Sequence, residues 1–418
     1  MAKKTDRSDF FYGYVIVVAA CWIMAVAWGT NRTFGVFLSP LTQEFGWTRA
    51  GISGAFTLCM IVLGAISLAT GRLADRLGPC ALMIACSLFI GGGFLLCSRL
   101  GSLWELYLFF GVFTGIGMSG AWVPMMSTVA RWFVRRRSLM SGILSAGPAT
   151  GIVLMPPLVT WLITCFGWRV SFALIGVLTF LGLAGAAVFL KRDPGQIGAR
   201  PYGMKKASGT WTEMQNHGMS LPEALRIRSF WLLNLISLCD FLLVNVVTVH
   251  IVPYVITLHI DPLQAATVLS LAAGVSIPAR IGMGGLADRI GNRLGLLVCL
   301  SMAVLAFAIL PFARGMMALY LFAVLYGIGL WTTSAVMSPF IADLFGLKAH
   351  GAIFSCTVFS GTIGGGLGPV LVGYLFDLTG SYQQGFLLCL AVSLVSLTTL
   401  LCVASPAPGS GTVSVRLQ

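Results

Sequence analysis

The chain has 418 residues, of which 57% are hydrophobic and only 9% are charged. A soluble protein carries roughly 25% charged residues, so this composition excludes a water-soluble fold and predicts an integral membrane protein with the lipid bilayer as its main partner. The net charge of +13 does not indicate nucleic-acid binding, because 20 of the 26 Lys and Arg residues fall in the termini and in loops on one side of the predicted topology. This positive-inside pattern predicts a protein of the cell (inner) membrane with both termini cytoplasmic.

Twelve segments are apolar over the length of about 20 residues that a helix needs to cross a bilayer core. In chain order, the predicted helices are 11–39, 49–70, 80–98, 103–131, 138–165, 169–190, 229–257, 263–286, 293–313, 316–344, 350–376 and 381–404. They predict an all-α integral membrane fold. The polar stretch from Lys191 to Arg228 separates six helices from six. The predicted parts are an N-terminal half at 1–190, a cytoplasmic central loop at 191–228, a C-terminal half at 229–404 and a short cytoplasmic tail at 405–418.

Several features of other protein classes are missing from the sequence. The basic start MAKKTDRSD is followed by an apolar run that is too long for a cleavable signal peptide. Most of the 11 cysteines lie in hydrophobic segments, and no Cys or His spacing indicates a metal site. There is no nucleotide-binding GxxxxGK[ST] motif and no catalytic constellation. We therefore expect neither a bound cofactor nor a metal, and no enzymatic activity.

The chain contains an internal repeat. Gly71-Arg-Leu-Ala-Asp-Arg-Leu-Gly78 recurs as Gly284-Gly-Leu-Ala-Asp-Arg-Ile-Gly291, with an offset of 213 residues. Each copy follows the second helix of its six-helix half, so the halves have the same topology and are parallel repeats. These loops and this topology resemble the major facilitator superfamily, whose substrate site lies between the two halves. The fold that the resemblance implies is twelve helices in two six-helix halves.

The repeated loops predict a conformational latch. Each Asp sits where it can cap a neighbouring helix N-terminus or pair with an Arg of the next loop. Such contacts would hold one conformation and break in the other. An ordinary hairpin turn would explain one copy of the motif but not two copies at matching positions. The residues predicted to form the latch are Asp75, Arg76, Asp288, Arg289, Arg136 and Arg137.

A finer resemblance is to the monocarboxylate transporter family. The stretch from Arg131 to Gly151, with an aromatic-Phe pair, a basic cluster, Leu139 and spaced small residues, is similar to a family signature. The start Asp9-Phe-Phe-Tyr12-Gly-Tyr is similar to the family's acidic and aromatic motif in its first helix, although Phe10 and Phe11 replace small residues. The resemblance covers most of the chain and implies transport of small monocarboxylate anions.

Arg280 is the sharpest candidate for binding substrate. It lies in the helix predicted at 263–286, and an ionisable residue inside the membrane is costly unless it is used or paired. Its guanidinium cannot lose its proton and matches a carboxylate with two donors. The alternative is that Arg280 snorkels to the cytoplasm or pairs with Asp288. The family resemblance implies a substrate-binding Arg here, but Ser276 stands where the family often has an Asp, so the usual Asp–Arg pair is absent.

The first helix supplies a second group of candidates. Arg32 matches a family Lys that has been linked to proton and substrate binding, but an Arg can attract anions and cannot relay protons. Outward snorkelling is the alternative. Trp28, which matches a family pocket aromatic, and Asn31 lie close to it on the same helix. Both are predicted to contact substrate.

The helices at 229–257 and 316–344 supply the remaining candidates. His250 can donate to a carboxylate and can take a proton near neutral pH, although it could instead bond a backbone carbonyl structurally. Asp240 could be a proton site or the counter-charge of Arg280. Trp331 and Ser334 could line the cavity. We predict His250 as the principal proton site, with Asp240 as its rival.

Together these features predict a proton-coupled symporter of small monocarboxylates, such as L-lactate or pyruvate, that works by alternating access, with the proton as coupling ion, as a monomer. The alternative transporter is an oxalate–formate type of anion exchanger. That family pairs its corresponding Arg with a Lys in the eleventh helix, and residues 353–376 contain neither Lys nor Arg. A membrane receptor or a membrane enzyme belongs to another class and is disfavoured by the short tails and the missing catalytic groups.

Overall fold

The computed structural model describes residues 11–204 and 218–403. The predicted tail and the acidic residue of the first-helix motif lie outside these ranges. Within them, eleven helices are long and apolar enough to cross a membrane, which confirms an all-α membrane fold. They are α1 Gly13–Phe45, α2 Gly51–Leu77, α3 Pro79–Cys97, α4 Leu103–Trp132, α5 Arg137–Ala187, α6 Arg228–Thr257, α7 Thr267–Ile290, α8 Asn292–Phe312, α9 Met316–Phe345, α10 His350–Thr379 and α11 Gln383–Cys402.

Helix α5 consists of two helical segments that meet at a kink at Gly167. Its 51 residues would extend about 77 Å at 1.5 Å per residue, more than twice the roughly 30 Å of a bilayer core. Gly167 has φ 76° and ψ 165°, a conformation that glycine adopts at little steric cost. The break falls between the helices predicted at 138–165 and 169–190. The number of twelve membrane-spanning helices stays a prediction. It is correct only if the two segments of α5 each cross the membrane.

Helices α4 and α9 are interrupted at related places. In α4, residues 119–122 form a turn before the last segment, Val123–Trp132. In α9, a 3₁₀ turn covers Leu330–Thr332, next to the positions 332–335 that the repeat relates to 119–122. A tighter turn inside a helix turns some carbonyl groups away from the regular helical ladder. The carbonyl of Trp331 is available there to side-chain donors from outside its own turn.

The two halves pack closely at the end of the bundle that holds both repeated loops, which we call the motif end. Helix α2 crosses α10, where a methyl group on Gly71 would lie 2.6 Å from the carbonyl oxygen of Gly351. Helix α7 crosses α5 in the same way, with Gly284 against the carbonyl of Ser138. The repeat offset of 213 relates both members of these pairs. Small residues permit this backbone approach, and the opposite end of the bundle is called the distal end below.

Candidate functional site

Arg280 joins the two halves of the molecule. Its Nε donates to the carbonyl oxygen of Trp331 in α9 at 3.0 Å, and its Nη1 donates to the carbonyl oxygen of Ser145 in α5. Glycine makes this contact possible, because Gly142 lets α5 approach the backbone of α7 at Arg280 itself. The guanidinium is half-buried and lies between the halves, where the superfamily resemblance places a substrate.

The charge of Arg280 is not neutralised by a carboxylate in the described part of the chain. The ion pairs there are Arg131–Asp75, Arg137–Asp343 and Arg169–Glu44. Ser276, at the position of the missing family Asp, is buried and donates to the carbonyl of Ala273 at 2.8 Å. The second guanidinium amino group, Nη2, makes no hydrogen bond to a described residue. A half-buried cation held only by carbonyl groups can accept an anionic partner.

Trp331 and Ser334 act on Arg280 through the backbone. The Trp331 carbonyl accepts from both Arg280 Nε and the Ser334 hydroxyl, the latter at 3.1 Å. The Trp331 ring packs against Tyr326, with the ring centroids 5.7 Å apart. These contacts fix the orientation of the guanidinium. The structure therefore brings Arg280, Trp331 and Ser334 together at one backbone carbonyl, and their role in lining a substrate cavity stays a prediction.

The α1 candidates form a polar group on the N-terminal half. Trp28 Nε1 and Asn31 Oδ1 are buried and have no hydrogen-bond partner among the described residues. Asn31 Nδ2 contacts the sulfur of Cys59 at 3.5 Å. Arg32 is exposed, and its guanidinium carbon lies 5.6 Å from the centre of the Phe56 ring. This group retains donors, an acceptor and a positive charge that bonds inside the described chain do not use.

Asp240 lies in the interior of the C-terminal half and not beside Arg280. It is 4% exposed, and its Oδ1 accepts from the Ser396 hydroxyl in α11 at 3.0 Å. Its Oδ2 is buried without a hydrogen-bond partner in the described residues. No ion pair links Asp240 to a described cation. The alternative that Asp240 is the counter-charge of Arg280 therefore finds no contact in this structure.

His250 lies near the distal end. Its Nε2 is 2.9 Å from the carbonyl oxygen of Pro369 in α10, and its ring centre is 5.6 Å from that of Tyr382. At 1.5 Å of rise per residue, Pro369 lies about 28 Å from the motif end along α10, and Arg280 lies about 12 Å from the motif end along α7. The imidazole is thus roughly 16 Å from Arg280 along the helix direction. The structure does not bring these two predicted site residues together.

Asp75 of the first repeated motif contacts a helix N-terminus and an Arg, but this Arg lies in α4 and not in the next loop. Asp75 forms an ion pair with buried Arg131 at the end of α4, and its Oδ2 accepts from the backbone N–H of Ala352 at 3.3 Å. Ala352 lies in the first turn of α10, where free N–H groups and the helix dipole attract an anion. Asp75 therefore links the N-terminal half to the start of a helix in the other half.

The second loop motif repeats this contact with the halves exchanged. Asp288 accepts from the backbone N–H groups of Ser138 and Leu139 in the first turn of α5, both at 2.9 Å. Its neighbourhood differs, because Asn292 bonds both the Ser138 hydroxyl and Asp343 at 2.6 Å. Arg137, one of the predicted latch residues, lies 3.5 Å from Asp343.

Three predicted latch residues stay outside these contacts. Arg76 and Arg289 are exposed, and neither forms an ion pair with a described residue. Arg136 has φ 65° and lies over the Tyr202 ring at 5.9 Å, so it holds the central loop rather than the other half. The sequence analysis missed four residues that take part in the contacts around Asp75 and Asp288. These residues are Arg131, Ser138, Asn292 and Asp343.

Comparisons with known proteins agree with this architecture. A family model for the Major Facilitator Superfamily matches residues 20–339 and again 283–416. Monocarboxylate transporter 13 of Rattus norvegicus is 27% identical over 394 residues, covering 92% of this chain and 87% of that protein. The corresponding Bos taurus protein is 28% identical over 420 residues, covering 97% and 94%. Monocarboxylate transporter 2 of Homo sapiens is 25% identical over 411 residues, covering 94% and 85%. The predicted resemblance is confirmed.

Proposed function

Because the chain belongs to the major facilitator superfamily and is a multi-pass membrane transporter rather than an enzyme, we propose that it carries a small monocarboxylate, such as L-lactate or pyruvate, together with a proton. The observation that carries this proposal is the half-buried Arg280 guanidinium, which lies between the halves and has no carboxylate partner in the described residues. A substrate with a single carboxylate supplies the missing negative charge. The proton is the coupling ion, and no other cofactor is invoked.

Arg280 and the motif-end contacts support an alternating-access mechanism. The substrate carboxylate accepts from the unused Nη2 and competes with the Ser145 carbonyl for Nη1. Apart from the Arg280–Ser145 bond, the polar contacts described between the halves lie at the motif end, around Asp75 and Asp288. This supports a state closed at the motif end and open at the distal end. With cytoplasmic termini and a monomeric carrier, as we propose, the open end faces the outside.

Coupling requires a group that holds the proton while Arg280 holds the anion. An anion and a proton together form a neutral load, so a fully loaded carrier can switch more easily than a half-loaded one. Our first candidate is His250, which lies near the distal end where both loads would enter. The rival is Asp240, because a carboxyl group there can carry the proton on its unpartnered Oδ2. Arg32 provides charge that attracts the anion.

The alternative transporter is an anion exchanger of the oxalate–formate kind. Such a carrier needs two fixed cations at its centre for two negative charges. The described helix α10 contains neither Lys nor Arg, which supports the monocarboxylate over the dicarboxylate. Exchange of one monocarboxylate for another stays compatible with a single Arg280.

Uptake into proteoliposomes distinguishes these mechanisms. Labelled L-lactate, pyruvate, oxalate and formate are offered with and without an inward proton gradient, and with a protonophore. We expect lactate or pyruvate uptake that rises with external acidity and collapses with the protonophore. Uptake that ignores the proton gradient but rises when anions are preloaded inside would contradict symport and support exchange.

A further inference from the structure

A half-open cavity lies at the distal end, within the C-terminal half. Its volume is about 260 Å³, and it is lined by the ends of α6, α8 and α10 and the start of α11. This is below the roughly 300–1,000 Å³ of pockets for drug-sized ligands, so it suits a molecule of a few heavy atoms. From the motif end to Gly380, which lines the cavity, α10 rises about 45 Å, against about 12 Å to Arg280. One small ligand cannot contact both sites.

The lining of this cavity favours an anion. Arg314 contributes a positive charge and forms no ion pair with a described residue. Thr257, Ser381 and Gln383 add polar groups, and no carboxylate lines the cavity. Helix α11 also begins here, where the Ser381 hydroxyl accepts from the Gln383 N–H at 3.2 Å and the N-cap residue Tyr382 makes no side-chain capping bond, so only the next N–H groups of the first turn are free. The free N–H groups of a helix start are donors for an anion.

Tyr382 gives an independent indication that something binds here. Its side chain lines the cavity and is only 9% exposed, and its hydroxyl, which is accessible, makes no hydrogen bond to a described residue. The ring is fixed by stacking on Phe376 at 4.3 Å and by contacts with Tyr254 and Phe386. Burial raises the pKa of the phenol, so the hydroxyl remains a donor at neutral pH. A fixed and unused donor fits an oxygen ligand.

We infer that this distal cavity is a second binding site for small carboxylates, in which Arg314 and the Tyr382 hydroxyl hold the carboxylate at the start of α11. The inference rests on the proposed function only for the choice of ligand. Asp377 should weaken anion binding here, because the negative charge of this exposed carboxylate is felt at Tyr382 although Asp377 does not line the cavity. An anion must therefore bind against one nearby negative charge, which makes a measurable prediction.

Equilibrium binding of labelled L-lactate to the purified full-length protein, in neutral detergent without anionic lipid, tests the inference. We expect two lactate molecules per chain in the wild type and one in Arg280→Lys. Adding Arg314→Gln to Arg280→Lys should weaken the remaining binding at least tenfold, and adding Tyr382→Phe should weaken it several-fold. Asp377→Asn should tighten it a few-fold. Arg99→Gln is the matched control, because Arg99 is an exposed distal Arg of the other half.

Several outcomes would overturn the inference. These are a single lactate per chain in the wild type, no binding in Arg280→Lys, or equal effects of Arg99→Gln and Arg314→Gln. A site that takes a short-chain phosphatidylglycerol but not lactate would be a lipid-headgroup site and would also contradict it. The proposed function fails separately: normal lactate uptake by Arg280→Lys would remove the central site while leaving Arg314-dependent binding in place.

Discussion

The two repeated motifs make the same contact. Arg280 and the position that the repeat relates to it make different contacts. Asp75 and Asp288 each accept from backbone N–H groups in the first turn of a helix in the opposite half. The position that the repeat relates to Arg280 is Ser67, which is buried and donates to a carbonyl of its own helix at 2.7 Å. The contacts of Asp75 and Asp288 are symmetric and join the halves. Arg280 has no charged counterpart in the other half, and among the described contacts it is the charge that lies between the halves away from the motif end.

This difference indicates that the symmetric and the asymmetric positions of the repeat have different roles. Rocking of two halves needs matching contacts that break and form together, so symmetry is useful at the motif loops. A small anion has one carboxylate, so a single cation suffices to bind it. The two aspartates also differ in their surroundings, because Asp75 pairs with buried Arg131 while Asp288 is exposed beside Asn292.

The largest effect is expected from Arg280→Lys. An ammonium group cannot reproduce the planar set of donors that faces Trp331, Ser145 and a carboxylate. Loss of a charge-assisted hydrogen bond costs about 1.5–3 kcal/mol, so lactate uptake should fall about 10- to 100-fold. Circular dichroism and gel filtration should show a folded protein, with Arg99→Lys as the control. Near-normal uptake by Arg280→Lys would contradict its role as the carboxylate partner.

A measurement of proton-coupled accumulation distinguishes His250 from Asp240 as the proton site. His250→Gln should keep lactate binding but lose accumulation driven by a pH gradient, because the amide cannot take a proton at neutral pH. Accumulation ratios in proteoliposomes measure this, alongside binding of labelled lactate. If His250→Gln accumulates lactate normally and Asp240→Asn does not, the proton site is Asp240. If both accumulate it normally, neither side chain is needed to bind the proton.

Asp75→Asn and Asp288→Asn should lower the stability of the protein by different amounts, although the two aspartates make matching contacts. Asp75→Asn leaves the Arg131 charge buried, with 4% exposure, which should cost about 3 kcal/mol. Asp288→Asn weakens the capping of α5 at an exposed site and should cost about 1 kcal/mol. Thermal unfolding in detergent measures the difference. Equal losses in the two variants would show that the Arg131 pair adds nothing to the first latch.

Glycine substitutions test the close approach of α5 and α7. In Gly142→Ala the added methyl group meets the carbonyl of Arg280, so the helices must separate, at about 1–3 kcal/mol. The matched control is Gly285→Ala, where the nearest atom is Leu139 Cδ1 at 3.6 Å. Thermal unfolding should therefore distinguish the two variants. A stable Gly142→Ala protein with normal uptake would contradict a tight α5–α7 crossing in the working carrier.

The smallest effects should follow Arg76→Gln and Arg289→Gln. Both side chains are exposed and have no described ion pair, and surface substitutions of this kind usually change stability by less than about 0.5 kcal/mol. Uptake should stay within twofold of the wild type. A large loss in either variant would show that these residues join the latch in a conformation other than the one described.

The sequence by itself determined the helical segments and the repeated motif. The reason is that a chain in lipid must satisfy its backbone hydrogen bonds within each helix, so hydropathy alone marks the helices. Their predicted ends agree with the structure within a few residues except in α1, which continues through Pro40 to Phe45, and in α2 and α7. Because α2 continues to Leu77 and α7 to Ile290, most of each repeated motif is helical, and the prediction that the motifs are loops after these helices is wrong. The repeat could be found because a 213-residue offset preserves local patterns.

Only the tertiary structure decided which groups meet. Asp75 pairs with Arg131 and not with the adjacent Arg76, and the contacts of Arg280 are backbone carbonyls that no side-chain pattern reveals. His250 faces the Pro369 carbonyl, 119 residues away along the chain. Such partners depend on how distant helices cross, and crossings are set by the packing of small residues over many turns. A charged residue in a sequence therefore indicates that a partner is needed, while the packed helices decide which partner it finds.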